Sequence, residues 1–311
     1  MIISASRRTD IPDFYSDWFF KRIEEGYVLV RNPFNFHQVS KVSLKRDTVD
    51  GIVFWTKNPE KMISRLYLIE DYAYYFLFTL NPYDKRIEKN LPEKSYIIEV
   101  FKKLSSKIGK DRIIWRYDPV ILTHEFDIEY HVKSFRDIAA KLHSYTSKCI
   151  ISFITLYPKV YKNLKKIGVY EIDKQQKIEI VSKFYEIARK YSIKLEICAE
   201  QIDLSSYGVM PARCVDKNLM EKLLGKKLNI GKDKNQRKFC GCDESVDIGA
   251  YDTCLHGCIY CYANKNINYI KRNVSQYDVN SHLLCSNLVE EDVVKERKAK
   301  SSVGQISIFD R

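Results

Sequence analysis

Ile113-Ile114-Trp115-Arg116-Tyr117-Asp118-Pro119 holds the reading on which the fold turns. An apolar run gives way to ionisable side chains and is closed by a proline. Beyond it, residues 126–143 carry apolar side chains at helical spacing. A short run that is apolar on both faces suits a strand covered on both sides, as in a parallel sheet with helical crossovers. The same unit recurs in both directions along the chain. Strands are expected at 2–5, 52–55, 75–80, 113–117, 150–154 and 195–198, and helices at 59–72, 92–108, 126–143 and 173–191. In the first helix Met62, Leu66 and Ile69 share a face, and in the second Ile98, Phe101 and Leu104 do. Such alternation with right-handed crossovers predicts an α/β class, of TIM-barrel-like type.

The interruptions set the domain boundaries. Residues 27–31, an Asn32-Pro33 turn and residues 39–44 predict a β-hairpin inserted after the first unit, at 27–44. Apolar periodicity stops over 225–238, which marks a linker. The expected organisation is a β/α barrel-like domain at 1–225, a Cys-rich loop packed on its rim at 226–266, and a C-terminal segment at 267–311. The last 30 residues are read as a helix and a tail.

Composition narrows the class. The 311 residues are 45% hydrophobic and 30% charged, enough to bury a core, which excludes a disordered chain or a disulfide-stapled mini-protein. Apolar runs such as 150–154 are far short of the roughly 18 residues that span a bilayer, so no membrane is expected. Only Met1, Ile2 and Ile3 precede a polar stretch with Arg7 and Arg8, too little for a signal-peptide core, and a cytoplasmic protein is expected. The net charge of +12 suits an anionic partner, nucleic acid included, or a lysine-rich surface, since Lys outnumbers Arg 36 to 16.

Each predicted strand runs into polar residues at its carboxyl end. The first is followed by Ser6, Arg7, Arg8, Thr9 and Asp10, the second by Thr56, Lys57 and Asn58, and the fourth ends on Arg116 and Asp118. The sixth reaches Glu200. That edge is where parallel α/β folds bind ligands. Helix capping accounts for the Asp and Asn residues, but cations oppose a helix N-terminus. Arg7, Arg8, Lys57 and Arg116 are therefore candidates for binding carboxylate or phosphate groups. Asp10, Asp118 and Glu200 are candidates for orienting hydroxyls or amines and for handling protons.

Nine cysteines without an export signal read as reduced thiols or ligands. Cys149 and Cys198 lie in apolar runs and read as core. Cys254-Leu255-His256-Gly257-Cys258-Ile259-Tyr260-Cys261 has the spacing C-x₃-C-x₂-C, which suits a loop turning three thiolates to one centre. Thiolates select iron–sulfur clusters and zinc. Cys240 and Cys242 are candidates for a fourth ligand or for part of a second metal site. Four of these five thiols could also close a tetrahedral zinc site, and a fully Cys-ligated cluster would have no open iron, so a non-radical zinc or closed-cluster protein with an anion-binding barrel is the alternative reading. His256, inside the loop, could be a ligand or hydrogen-bond donor, but reads first as a solvated loop residue.

With Tyr260 before its last cysteine, this loop resembles the cluster loop of radical S-adenosylmethionine (radical SAM) enzymes. The stretch from Asp247 to Asn264 is most similar to the spore photoproduct lyase branch. From Met1 to about Asn266 the chain resembles an uncharacterised bacterial family, the domain of unknown function numbered 1848, through residues 4–12, 53–59, 114–119 and 232–264. The resemblance implies that Cys254, Cys258 and Cys261 hold a [4Fe–4S] cluster with one open iron. S-adenosylmethionine would bind there, with Tyr260 beside it, and be cleaved to a 5′-deoxyadenosyl radical. A flavodoxin or ferredoxin would donate the electron, and the substrate would be an anionic small molecule or nucleotide. Nucleic-acid repair or modification is a further possibility by analogy with the lyase branch. Tyr117, Tyr157 and Cys198 are candidates for a hydrogen-atom relay. In that superfamily the cysteine loop follows the first barrel strand, whereas here it follows six, so the barrel would be permuted. No Gly-Gly pair of the kind that holds the methionine amino group occurs.

Overall fold

The computed structural model describes residues 1–298 and 300–304. Its strands are β1 (Ile2–Ala5), β2 (Tyr27–Asn32), β3 (Asn35–Ser43), β4 (Gly51–Thr56), β5 (Tyr74–Thr79), β6 (Ile113–Val120), β7 (Lys148–Phe153), β8 (Lys194–Ile197), β9 (Met210–Pro211), β10 (Val246–Asp247) and β11 (Val293–Glu296). Its α-helices are α1 (Ile11–Phe14), α2 (Ser16–Glu25), α3 (Glu60–Ile63), α4 (Lys94–Ile108), α5 (Ile128–Leu142), α6 (Pro158–Leu164), α7 (Lys174–Lys190), α8 (Lys217–Leu224) and α9 (Ile267–Val274).

Eight strands form one parallel sheet in the order β10-β1-β4-β5-β6-β7-β8-β9. From β1 to β9 the order never reverses, so every carboxyl end lies along one edge. The last strand of the sheet, β10, pairs beside the first, with Ile3 opposite Val246. That pairing carries the cysteine-rich segment to the turn after β1. Among the described residues β9 and β10 remain the two edges of the sheet.

Alternation explains the two faces. Ile3, Ile52, Phe54, Phe76, Trp115, Cys149, Ile151 and Leu195 pack against the helices in one large core. Trp115 stacks on Phe135 of α5 at 4.8 Å, and Phe135 on Phe184 of α7 at 4.1 Å. The opposite face, with Ile2, Val53, Tyr75, Leu77, Ile114 and Ile150, is covered by residues 212–242 instead. Helix α8 docks there through Met220, and a β-carbon on Gly51 would lie 2.1 Å from its sulfur. Glycine is what lets α8 approach the sheet.

Local signals place the helices. Asp127 caps α5 by accepting from the Tyr130 N–H, and Asp173 with Gln176 forms a capping box at α7. Three expectations are corrected. Residues 59–72 split into α3 and a 3-10 turn at Leu66–Ile69, which buries Met62, Leu66 and Ile69 as well as a continuous helix would. Asp118-Pro119 lies inside β6, where the register shift between Tyr117 and Val120 accommodates a proline. The C-terminal segment does begin with a helix, α9, but its last 30 residues contain β11, paired parallel to β3 of the β2–β3 hairpin, and no helix among those described; residues 305–311 of the expected tail lie outside them. No helix among the described residues is long and apolar enough to cross a membrane.

Candidate metal centre

The turn after β1 and the start of the C-terminal segment are tied through one carboxylate. Asp247 of β10 accepts from Ser4 Oγ at 3.0 Å, Ser6 Oγ at 2.6 Å, and the N–H groups of Arg7 at 2.8 Å and Gly249 at 3.0 Å. The chain leaves this clamp on the carboxyl side of the sheet and forms the loop of residues 252–264. Asp252 N–H closes it on the Ala263 carbonyl at 3.0 Å, and Cys261 N–H donates to the Cys258 carbonyl at 3.1 Å. Gly257 takes φ +69, the left-handed region, and a β-carbon there would meet Asn90 Nδ2 at 3.2 Å. The loop docks on the segment after β5, with Ile259 N–H on the Ile87 carbonyl and Asn90 N–H on the His256 carbonyl, both at 3.0 Å. Cys258 and Glu88 bridge between the two.

The thiols of Cys254, Cys258 and Cys261 lie within electrostatic reach of one another. Burial pushes Cys254 well above the ordinary thiol range and Cys258 up to about 12, with the charge of Lys57 opposing the rise at Cys258. Three clustered free thiols at the sheet's binding edge, with a lysine beside them to offset thiolate charge, fit a thiophilic metal or an iron–sulfur cluster.

Glu88, absent from the sequence-based candidates, is the hub beside these thiols. Its buried carboxylate accepts from Lys57 Nζ at 2.7 Å, from Asn81 Nδ2 at 3.3 Å, and from Lys94 Nζ and the Tyr260 hydroxyl. Burial alone would raise its pKa, but Lys57 and Lys94 outweigh that and hold it at about 2. Tyr260 thus locks the cysteine loop to the segment after β5, and the Lys57 ammonium lies 5.5 Å from its ring.

His256 is a further correction, because it is buried rather than solvated. Its Nε2 lies 2.8 Å from Asp10 and 3.7 Å from Asp13. Asp10 also accepts the Lys57 N–H at 2.7 Å and caps α1. Burial, then the charge of Asp10, raises Asp13 to about 7. His256 Nδ1 is buried without a hydrogen-bond partner, and these three side chains are close enough to hold a cation.

The remaining candidates divide. Arg7 and Arg116 lie on the half-buried Trp55 ring, at 5.0 and 4.8 Å from its centroid. Arg116 pairs with Asp118, which also accepts from Ser152 Oγ, and Arg8 lies 3.8 Å from Asp247. Each of these cations, like Lys57, already faces a carboxylate, and an incoming anion would have to share it. Arg7 Nη2 and Arg116 Nε nevertheless remain buried without a partner. Glu200 is drawn to Lys177 at 3.0 Å and to the N–H groups that follow it. Tyr117 packs on the helical face, bonded to His131 Nδ1 at 2.7 Å, and Tyr157 is exposed. The thiol contacts of Cys240 and Cys242 run to each other and to Cys214, so these two belong to a different group.

The model of a family described as "Domain of unknown function (DUF1848)" matches residues 2–263. No curated protein matches the chain. A crystal structure from Bacteroides thetaiotaomicron, assigned as an alpha-L-fucosidase, is similar at 15% identity and a TM-score of 0.25, covering 58% of this chain and 74% of that one.

Proposed function

The chain belongs to the DUF1848 family, and from that premise we propose that it is an iron–sulfur enzyme of radical SAM type on a partial, permuted β/α barrel. The observation that carries this reading is the cluster of Cys254, Cys258 and Cys261 thiols at the carboxyl edge, brought beside β1 by β10. These three would hold a [4Fe–4S] cluster. When bound, it supplies an open iron for S-adenosylmethionine and the electron for its reductive cleavage.

The chain's own residues then have distinct tasks. Lys57 offsets negative charge at Cys258, and Glu88 keeps Lys57 and Tyr260 in place. Trp55, with Arg7 and Arg116 at its ring, offers a cationic surface suited to a nucleotide-like or carboxylate-bearing ligand. Asp10, Asp13 and His256 form a buried group in which Asp13, raised to about 7, is able to take or give a proton at Oδ2. The electron would come from a one-electron donor such as flavodoxin or ferredoxin.

Anaerobically reconstituted protein with dithionite is expected to convert S-adenosylmethionine to 5′-deoxyadenosine and methionine, read by chromatography. Protein with a full complement of iron and sulfide that yields neither product would overturn the assignment.

A further inference from the structure

We propose that Cys198, Cys214, Cys240 and Cys242 form a second, closed metal site that holds one zinc ion through four thiolates. The four are far apart in sequence and come from three segments: the end of β8, the stretch after β9, and the Cys-Gly-Cys turn at 240–242. All four are buried on the sheet face covered by residues 212–242. Cys214 Sγ lies 3.8 Å from Cys198 Sγ, and thiol contacts continue from Cys214 to Cys242 and from Cys242 to Cys240. Ligands at about 2.3 Å from zinc in a tetrahedron stand about 3.8 Å apart, so this contact has the length of one edge of such a site; the other thiols follow as a chain of neighbours and would draw together around the ion. A cubane cluster takes one cysteine per iron and would hold that pair farther apart.

The backbone is shaped for convergence. Cys198 N–H bonds to the Ile151 carbonyl at 2.8 Å, and Ala212 N–H to the Ile197 carbonyl at 2.7 Å, fixing two of the segments to the sheet edge. Tyr75 joins them from below, donating to the Cys214 carbonyl at 2.7 Å and accepting from Asp216 N–H at 2.9 Å. Val215 N–H points at Cys242 Sγ from 3.5 Å, the N–H-to-sulfur contact that supports a thiolate ligand. Gly241 passes so close that a β-carbon would lie 2.9 Å from the Ala212 carbonyl oxygen.

The charges around the four thiols point the same way. The Arg7 guanidinium acts on Cys242, Arg237 Nη2 lies 3.9 Å from Cys198, and the Arg116 guanidinium acts on both Cys198 and Cys214. Asp118 and Asp247 offset two of these three cations, the exposed Arg237 adds a third charge beside four neutral thiols, and the buried Arg7 Nη2 and Arg116 Nε have no hydrogen-bond partner. A divalent ion with four thiolates carries net negative charge and satisfies them. Cys149 makes the contrast: equally buried, it sits on the helical face apart from this group.

The site would be structural, with no open position, and would clamp the covering segment onto the sheet. A chain with Cys254, Cys258 and Cys261 all replaced by serine is expected to purify with about one zinc per molecule by mass spectrometry. X-ray absorption at the zinc edge should show sulfur alone in the nearest shell, at about 2.3 Å. Adding Cys214→Ser should lower the zinc at least tenfold, whereas adding Cys149→Ser should leave it unchanged. Should the triple variant not purify folded, single variants of the whole chain separate the sites: zinc is lost with Cys214→Ser and kept with Cys258→Ser. Absence of zinc from the triple variant, nitrogen or oxygen in the nearest shell, or iron with sulfide in place of zinc would overturn the proposal.

Discussion

Glu88→Gln is expected to lower the stability of the protein by about 3–5 kcal/mol at neutral pH, the range found when one partner of a buried ion pair is removed. Glutamine has the same shape, so the loss is electrostatic. Lys57 and Lys94 keep their buried ammonium groups and lose the carboxylate between them, while the Tyr260 hydroxyl and Asn81 lose a charged acceptor. The effect depends on pH in a defined direction. The folded-state pKa of Glu88 is lowered from 4.5 to about 2, so its contribution is complete above 4.5 and disappears as the pH falls through about 2. Urea unfolding of the wild type and variant should therefore diverge at pH 7 and converge toward pH 2. A difference below about 1 kcal/mol at pH 7, or one that does not shrink on acidification, would contradict this account of the hub.

Cys258→Ala is expected to remove the iron–sulfur centre, lowering iron and acid-labile sulfide in reconstituted protein at least tenfold. A cluster held by only three thiolates has no spare protein ligand, and Cys240 and Cys242 are engaged with Cys214. Cys149→Ala should leave iron and sulfide unchanged, because that thiol faces the helices. Circular dichroism would verify that both variants are folded. Full retention of iron and sulfide by folded Cys258→Ala would contradict the assignment of the site.

The sheet was legible because its central strands announce themselves. Tyr74–Thr79 is buried at all six positions, and a run apolar on both faces has few other readings. Met210–Pro211 and Val246–Asp247 were not legible, since two-residue strands carry no periodicity and exist only because β8 and β1 offer edges. The local cysteine spacing at 254–261 was visible. The convergence of Cys198 and Cys214 with Cys240 and Cys242 was not, because it depends on which side of the sheet each strand residue faces. Cys198 read as core for the same reason that it is buried.

The rim cations show the same limit. Lys57 and Arg116 stood out at strand ends, but their partners are set by the fold. Nothing in the stretch around Glu88 distinguishes it from Glu93 five residues later; burial against the cysteine loop does. His256 was misread because a histidine inside a glycine-containing loop ordinarily meets water. Here Asp10, Asp13 and Phe14 enclose it, the ring of Phe14 at 4.7 Å.

The most direct test of the central claim is electron paramagnetic resonance of the anaerobically reconstituted, reduced protein, recorded with and without S-adenosylmethionine. The account predicts a [4Fe–4S]⁺ signal whose shape changes when the cofactor is added, as expected when an open iron gains ligands. A cluster signal indifferent to S-adenosylmethionine, or no iron signal with zinc bound at Cys254, Cys258 and Cys261, would contradict it.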